Sequence, residues 1–431
     1  MYPLNEKKVN WDFVDRSIEV LGKIIKHRAK HPTTPDDLMY YEVQLKYYEN
    51  ARHAHEQGKY LVCHSPLIPT EIIYAMDMVP WHLSMSTGTL ANCLKNHDDY
   101  VKTCDQYGLP WECCAAHRQP IGAAIMNVLP PFDFIVGLST GCDNVIKSAQ
   151  ITANMLRVPY ISLDLPYNSG ERDVAYTARE FEELIDFLEK CAGKKMDWDH
   201  FAEVVDRTVK LHDYWVEIGE LRKAVPEPMR HRSYIQQYVT EIMTAGSEEA
   251  LNYFRAVRDH LKENVKKGVG YAPEEKYRIV TIQVPITQYL KLMDWMEEEY
   301  GAVSVMDIHM CNVKPVKVIH GKPIETLAHK TLNRPMACQL RSSSDGWIEE
   351  AIRVARDYKA DFILYYASVT CHTTPAVFKL LKDRVYEELK LPTFKLDCDL
   401  SDPSYMPMEV YQSKLKEMFS LSRTESWGLK C

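Results

Sequence analysis

Apolar residues follow two alternating patterns along the chain, and these patterns predict a succession of strands and helices. Short continuous apolar runs at 132–138 and 160–165 indicate buried strands. Stretches with helical spacing separate these runs, for example residues 175–191, where Phe181 and Leu184 share one face. Because strands that alternate with helices favour parallel βαβ units, we predict an α/β fold.

The pattern occurs twice, with the same kinds of segment in the same order. Three segments of the first half have counterparts in the second, at 59–78 and 276–295, 131–150 and 359–381, and 158–173 and 391–405. The duplication predicts two similar Rossmann/flavodoxin-like parallel α/β domains facing a cleft. Helical periodicity adds an N-terminal helical segment and a helical connector. The predicted boundaries are 1–58 for the N-terminal segment, 59–195 for the first domain, 196–275 for the connector and 276–431 for the second domain.

Composition restricts the class of protein. The 431 residues are 46% hydrophobic and 26% charged, which is ordinary for a globular protein. A net charge of −8 argues against broad nucleic-acid binding, which needs a cationic surface. No apolar run approaches the roughly 20 residues that span a bilayer, and the N-terminus lacks the apolar core of a secretory signal. We therefore expect a cytoplasmic protein that binds neither nucleic acid nor membrane.

The duplication helps to interpret the large number of cysteines. The chain has 12 cysteines, which in the cytoplasm are reduced thiols or metal ligands. Cys142 and Cys371 occupy the same place, directly after equivalent strands. If the strand ends of both domains converge on the cleft, six thiols are expected there, namely Cys113, Cys114, Cys142, Cys311, Cys338 and Cys371. The remaining cysteines are interpreted as small buried hydrophobic residues.

Spacing alone leaves two interpretations of these thiols open. No C-x-x-C pair is present, so the pattern is not that of a structural zinc site. An iron–sulfur cluster held in a cleft by dispersed ligands and a set of buried free thiols both fit the spacing. Adjacent cysteines in extended backbone project to opposite sides, so Cys113 and Cys114 suit two different centres better than one iron.

The other catalytic motifs are mostly missing. The sequence has no phosphate loop and no dinucleotide fingerprint after a strand, so we do not expect the chain to hydrolyse ATP itself. Glu112, His117 and His372 lie near the cysteines and are candidate proton donors. Arg118 and Lys147 are candidate partners for an anion or for a cluster's charge. For each of the five, helix capping or a hydrogen bond to a ligand residue is the alternative role.

Several of these residues together resemble a known superfamily. Pro69, Glu71 and Ala75 form a P-x-E-x-x-x-A motif, which is followed by Cys114 with Gly122 and by strands that end near Cys142 and Cys371. From about residue 59 to the C-terminus, this order resembles the 2-hydroxyacyl-CoA dehydratase and benzoyl-CoA reductase superfamily. The resemblance implies two α/β domains that hold a 4Fe–4S cluster through Cys114, Cys142 and Cys371. It also implies electron supply by a separate ATP-hydrolysing iron–sulfur activator.

The other three cysteines depart from that three-ligand pattern. Cys113, Cys311 and Cys338 look like a second set, which resembles the double-cubane branch of the superfamily with its bridged 8Fe–9S cluster. Members of that branch are homodimers that reduce small molecules. In the dehydratases, a serine in the loop before the P-x-E motif helps to bind substrate, and Ser65 lies in that loop here.

Three functional hypotheses follow. The leading one is a low-potential, homodimeric reductase that acts on small molecules at a double cubane and is fed by the activator. The alternative is one subunit of a heterodimeric 2-hydroxyacyl-CoA dehydratase or benzoyl-CoA reductase, which uses a single cluster for radical acyl-CoA chemistry. A third is an electron carrier without substrate chemistry of its own.

Overall fold

Two four-stranded parallel sheets organise the molecule, which we describe from a computed structural model covering residues 10–341 and 343–422. Their strands follow the orders β2-β1-β3-β4 and β6-β5-β7-β8, so the second sheet repeats the topology of the first. The strands are β1 (Leu61–His64), β2 (Val79–His82), β3 (Phe134–Leu138), β4 (Tyr160–Leu163), β5 (Tyr277–Ile282), β6 (Ala302–Asp307), β7 (Phe362–Ser368) and β8 (Thr393–Cys398). The predicted α/β fold with two similar parallel sheets is confirmed.

Helices cover the faces of both sheets and fill the sequence between them. In the first half they are α1 (Asp12–Lys30), α2 (Pro35–His53), α3 (Thr70–Ala75), α4 (Leu83–Leu94), α5 (His97–Gln106), α6 (Ala115–Ile125), α7 (Asp143–Leu156) and α8 (Glu171–Ala192). Three helices lie between the sheets in sequence, α9 (Trp198–Leu221), α10 (Ser233–Thr244) and α11 (Glu248–Lys267). The second half adds α12 (Lys291–Tyr300), α13 (Pro323–Leu332), α14 (Ala337–Arg341), α15 (Ser344–Asp357), α16 (Phe378–Leu389) and α17 (Met408–Ser422).

The central strands form where the apolar runs are continuous. Every residue of β3 and of β7 is buried, as expected for parallel strands that helices cover on both faces. The sequence patterns did not predict β2, which has only four residues and contains Pro80. Proline is tolerated there because β2 pairs with β1 alone and lies at the edge of the sheet.

The start of α3 is held by a contact far away in the sequence. Pro69 is the N-cap residue of α3, so no side chain caps the helix, although Thr70 follows directly. The hydroxyl of Thr70 instead donates a hydrogen bond to the carbonyl of Ala245, at 2.7 Å. The motif that begins at Pro69 is therefore attached to the end of α10.

The two halves share their hydrophobic interior. One core cluster contains Ile135 of β3 together with Ile279 of β5. A second cluster covers the other face of the first sheet and includes Phe181 of α8 and Leu327 of α13, so a helix of the second half packs on the first. Among the described residues, no helix combines the length and the apolar content needed to cross a lipid bilayer.

Candidate active site

The loops after β3 and β7 meet at a cavity of about 600 Å³. Cys142 lies four residues beyond the end of β3 and Cys371 three residues beyond the end of β7, and both line the cavity. The carboxyl ends of parallel strands are where open α/β sheets bind ligands. Convergence of these two equivalent loops therefore follows from the duplicated topology.

Cys114 supplies the third thiol of the cavity. It is the N-cap residue of α6, and Cys142 is the N-cap residue of α7, so both sulfurs lie at helix N-termini. Burial raises the pKa of the Cys114 thiol, and charge on Cys371 and on Cys142 raises it further. Burial also raises the pKa of Cys142, although backbone N–H groups at the start of α7 oppose the shift. The three thiols are thus within electrostatic reach of one another.

Polar side chains contact two of the sulfurs. The amide of Gln283 and the hydroxyl of Thr374 donate hydrogen bonds to the Cys371 Sγ, at 3.7 and 3.2 Å. The Nε2 of His117 lies 3.9 Å from the Cys142 Sγ, and burial lowers the pKa of this histidine to about 4. Hydrogen bonds to ligand sulfurs are among the features that set the potential of an iron–sulfur cluster.

Gln283 was not predicted as a site residue, and its backbone is unusual. Its φ of 80° lies in the left-handed region, which a non-glycine residue adopts at a cost of about 1–3 kcal/mol. This conformation follows directly after β5 and accompanies an amide that donates to Cys371 and to Thr374, the latter at 2.8 Å. A polar residue immediately after a buried strand was the available sequence signal.

Three basic side chains line the cavity. Lys147 and His372 are exposed and line it, which leaves both available to a bound molecule. Arg341 also lines it, but its guanidinium donates hydrogen bonds to four backbone carbonyls, including those of Asn168 at 2.8 Å and Leu332 at 2.6 Å. Arg341 therefore joins loops of the two halves rather than offering a free cation.

A buried ionic network connects the P-x-E motif to the second half. The Lys330 Nζ lies 2.6 Å from Glu71 Oε1 and 3.0 Å from Glu241 Oε1, and Glu241 also pairs with Arg334. Burial alone would raise the pKa of Glu241, but Arg334 and Lys330 outweigh it and hold the pKa well below its usual range. Glu71 therefore has an observed structural role, which joins α3 to α13.

Comparison with known proteins agrees with this architecture. Residues 67–419 match the family model of the 2-hydroxyglutaryl-CoA dehydratase D-component. The chain belongs to this family. The match includes all three thiols of the cavity, and the superfamily resemblance predicted from the sequence is confirmed.

Individual relatives of this dehydratase-family chain span nearly its whole length. The (R)-phenyllactyl-CoA dehydratase alpha subunit of Clostridium sporogenes is 22% identical over 93% of the chain and 96% of the relative. The lactoyl-CoA dehydratase alpha subunit of Anaerotignum propionicum is 25% identical over 86% of the chain and 93% of the relative. A benzoyl-CoA reductase subunit of Thauera aromatica is 23% identical over 87% of the chain and 91% of the relative. The relatives are therefore subunits of enzymes.

The structure brings three of the six predicted ligands of this family member to one cavity. The other three, Cys113, Cys311 and Cys338, do not line it. Cys311 is buried, and its thiol donates a hydrogen bond to the carbonyl of Tyr234 at 3.3 Å. Cys113 and Cys338 are half-buried. A second cluster on these three thiols stays a prediction.

The remaining predicted residues lie outside the cavity lining. Glu112 is exposed and outside the cavity lining. Arg118 is buried, pairs with Asp105 at 2.5 Å and Asp402 at 3.2 Å, and donates to the Cys113 carbonyl at 2.9 Å. Arg118 therefore holds the cysteine pair in place. The backbone N–H of the buried Ser65 donates to the carbonyl of Val136, and its side chain does not line the cavity.

Proposed function

We propose that this chain is one subunit of a 2-hydroxyacyl-CoA dehydratase or of a related acyl-CoA reductase. In this proposal Cys114, Cys142 and Cys371 hold one 4Fe–4S cluster. The observation that carries it is the presence of three thiols, two from the first half and one from the second, around one cavity of about 600 Å³. The relatives, which are named as dehydratase and reductase subunits, support the same reaction class.

The residues present fit a cluster better than a single metal ion. Three soft thiols around one cavity are a donor group suited to iron–sulfur chemistry. Within residues 10–341 and 343–422, no three histidine, cysteine, aspartate or glutamate side chains are arranged to bind one metal ion. A cluster carries its own sulfide framework, so its cysteine sulfurs stand farther apart than the ligands of a single ion.

The chain's own side chains have definable tasks in this proposal. The cluster, when bound, would supply a low-potential electron to the carbonyl of an acyl thioester. The ligand sulfurs would accept hydrogen bonds from the side chains of Gln283, Thr374 and His117. Lys147 and His372 at the mouth are exposed and carry donors that suit an anionic or carbonyl oxygen.

The partners belong to the same proposal. Two relatives are named as alpha subunits of dehydratases and a third as one of the subunits of a reductase, which supports a second, different subunit. The absence of a phosphate loop from the sequence supports electron supply by a separate ATP-hydrolysing iron–sulfur activator. The homodimer, the double-cubane reductase, the pure electron carrier and the cytoplasmic location remain predictions from the sequence.

Iron and sulfide content of anaerobically purified protein tests the proposal. We expect about four irons per chain. About eight irons would favour the double cubane instead, and the absence of iron would reject both the single cluster and the double cubane. Cys113→Ser sharpens the test because it should leave the iron content unchanged for one cluster and reduce it by about half for two.

Activity is the second measurement. With a dehydratase activator, ATP and a reductant, the protein together with its co-purifying subunits should dehydrate 2-hydroxyacyl-CoA or reduce an aromatic acyl-CoA. Reduction of small molecules such as acetylene without any acyl-CoA turnover would contradict the proposal. Iron without either activity would favour the electron carrier.

A further inference from the structure

A buried carboxylate lies beside the loop that carries Cys371. It belongs to Asp399, which is 1% exposed and directly follows β8. Strands β7 and β8 are parallel, with Ser368 opposite Cys398, so the residues after both strands meet at one edge of the sheet. Because a buried charge is costly unless it is hydrogen-bonded, the contacts of this carboxylate and of its loop, residues 399–402, indicate its task. This segment is called the β8 loop.

Both oxygens of the Asp399 carboxylate accept hydrogen bonds. The hydroxyl of Thr370 donates to Oδ2 at 2.8 Å, and Thr370 directly precedes Cys371 and lines the thiol cavity. The backbone N–H groups of Ser401 and Asp402 donate to Oδ1, at 2.9 and 2.8 Å. One side chain therefore connects the loop after β7 to the β8 loop.

The β8 loop also contacts helix α6 of the first half. The Arg118 Nη2 donates to the Asp402 Oδ2 at 3.2 Å, and the amide of Gln119 donates to the Ser401 carbonyl at 2.9 Å. Both donor side chains are buried. Cys114 is the N-cap residue of α6, so these contacts attach the helix that begins at one thiol to the loop that Asp399 orders.

Residues that follow β5 hold the other side of the β8 loop. The backbone N–H and the hydroxyl of Thr287 both donate to the carbonyl of Leu400, at 2.9 and 2.6 Å. The amide of Gln288 donates to the backbone carbonyl of Asp399 at 3.3 Å. The β8 loop is thus fixed to the second half on one side and to α6 on the other.

The first half has a similar carboxylate–hydroxyl pair, but it is exposed. Asp164 directly follows β4, which is the equivalent of β8, and accepts a hydrogen bond from the hydroxyl of Ser139 in the loop after β3. Tyr176 donates to the same carboxylate at 3.2 Å. Asp164 is exposed whereas Asp399 is buried, so water screens the first charge and not the second.

The charge of Asp399 reaches the thiol of Cys114. Burial is the largest cause that raises the pKa of this thiol, and charge on Cys371 and on Asp399 raises it further. The carboxylate is therefore within electrostatic reach of the proposed cluster ligands in both halves. Net charge near an iron–sulfur cluster is one of the features that set its potential.

We propose that Asp399 is a positioning residue, which fixes the loop that carries Cys371 relative to the helix that begins at Cys114. It acts through the Thr370 hydroxyl on one side and through the β8 loop and Arg118 on the other. The inference rests on the proposed function, because one cluster held by both halves requires their thiols at a fixed separation. Asp399 does not line the thiol cavity and is assigned no contact with substrate.

Iron release tests how firmly the thiols are held. The ferrous chelator ferrozine is added to anaerobically purified protein that carries its cluster and co-purifying subunits. Asp399→Ala removes every hydrogen bond to the carboxylate, so iron should leave at least about tenfold faster than from the wild type. Asp399→Asn keeps an acceptor oxygen for the two backbone N–H groups and should restore most of the iron retention.

Asp397→Ala is the matched control. This residue lies two positions earlier, in β8, and its side chain is 43% exposed in a pair with Lys395. Exposed pairs of this kind contribute little, so iron release from Asp397→Ala should match the wild type.

Electron paramagnetic resonance separates positioning from general stabilisation. In Asp399→Ala that retains its cluster, the spectrum of the reduced cluster should differ from that of the wild type. In Asp399→Asn the midpoint potential should become less negative, because a buried negative charge near the cluster is removed. Asp397→Asn should leave the potential unchanged. A loss of stability alone would alter neither the spectrum nor the potential.

Thr370→Val keeps the test decisive if Asp399→Ala does not fold. It removes only the hydroxyl that donates to Asp399, and it should also accelerate iron release by about tenfold. Wild-type rates of iron release in Asp399→Ala or in Thr370→Val would overturn the inference and leave the proposed cluster intact. Wild-type protein without iron would instead contradict the proposed function itself.

Discussion

The two halves of the molecule share one scaffold but do not present the same chemistry at their strand ends. Both sheets have the same strand order, and the loops after β3 and β7 bring Cys142 and Cys371 to one cavity. Other cysteines of the two halves differ in their positions. Cys114 caps the 11-residue helix α6 and lines the cavity, whereas Cys338 lies in the five-residue helix α14 and does not.

The residues that follow the first strand of each sheet differ as well. In the first half, β1 ends at His64, whose ring lies 5.1 Å from that of His82 between centroids. In the second half, β5 is followed by Gln283, which reaches the Cys371 sulfur. The comparison teaches that the two halves share a backbone framework but place different polar side chains after their first strands.

The largest expected effect separates two thiols that line the cavity from one that does not. Cys371→Ser or Cys142→Ser removes a ligand of the proposed cluster, so the purified protein should lose most of its iron and its visible absorbance. Cys338→Ser is the matched control in the second half and should keep the iron content of the wild type. Equal iron loss in Cys338→Ser would remove the asymmetry between the halves and favour two clusters.

The next largest expected effect is the loss of stability when the buried ion pair between Lys330 and Glu71 is removed. Lys330→Met leaves Glu71 without its ion pair and Glu241 with one cation fewer, so we expect a loss of about 3–5 kcal/mol in the free energy of unfolding. Lys322→Met serves as the control because its pair with Glu325 is at the surface, with the lysine side chain 61% exposed, and it should change stability by about 1 kcal/mol or less. Urea denaturation of both variants measures the difference, and similar losses would show that the halves do not depend on Lys330.

A smaller effect concerns the histidine pair at the end of the first sheet. Burial lowers the pKa of His64 to about 4, and neighbouring Arg334 acts in the same direction, while Glu71 opposes it. The unfolded chain therefore binds a proton that the folded chain does not between about pH 6.5 and pH 4. The wild type should lose stability relative to His64→Gln as the pH falls through this window, by roughly 3 kcal/mol at most.

Urea denaturation of wild type and His64→Gln at several pH values checks this expectation. His320→Gln, at an exposed position of the second half, is the control and should reproduce the wild-type profile. A constant difference between His64→Gln and the wild type from pH 7 to pH 4 would contradict the assignment of a buried neutral His64.

The smallest expected effect concerns the hydrogen bond from the Gln283 amide to the Cys371 sulfur. Gln283→Leu removes an N–H donor from the Cys371 sulfur, so a bound cluster should become harder to reduce and its midpoint potential should shift to a more negative value. Iron content should stay at the wild-type level, which distinguishes this effect from loss of a ligand. An unchanged potential, measured by electron paramagnetic resonance during a redox titration, would show that the amide has only a structural role.

Much of the framework could be predicted because its signals are local. The continuous apolar runs identified strands such as β3, and helical periodicity identified helices such as α8. The prediction missed β2 because a four-residue strand with Pro80 in it has no strong pattern of its own. The hydrogen bond from the Thr70 hydroxyl to Ala245, 175 residues away, has no local signal either.

The site residues also fall into those that the sequence predicts and those that depend on tertiary packing. Order and duplication along the chain were sufficient to select Cys142 and Cys371 as equivalent residues at strand ends. The contact of Gln283 with sulfur requires a left-handed backbone at that residue, which no sequence pattern indicated. The exclusion of Cys311 from the cavity lining depends on the packing of α10, whose Tyr234 carbonyl accepts its thiol.

By itself, the sequence determined the strand–helix alternation, the duplicated topology and the family, because these depend on local periodicity and on the order of residues. Tertiary structure alone decided which thiols share a cavity and where the Glu71 carboxylate finds its cation. These features depend on distances between segments that are far apart in the chain. Such distances arise only when the sheets and helices pack together.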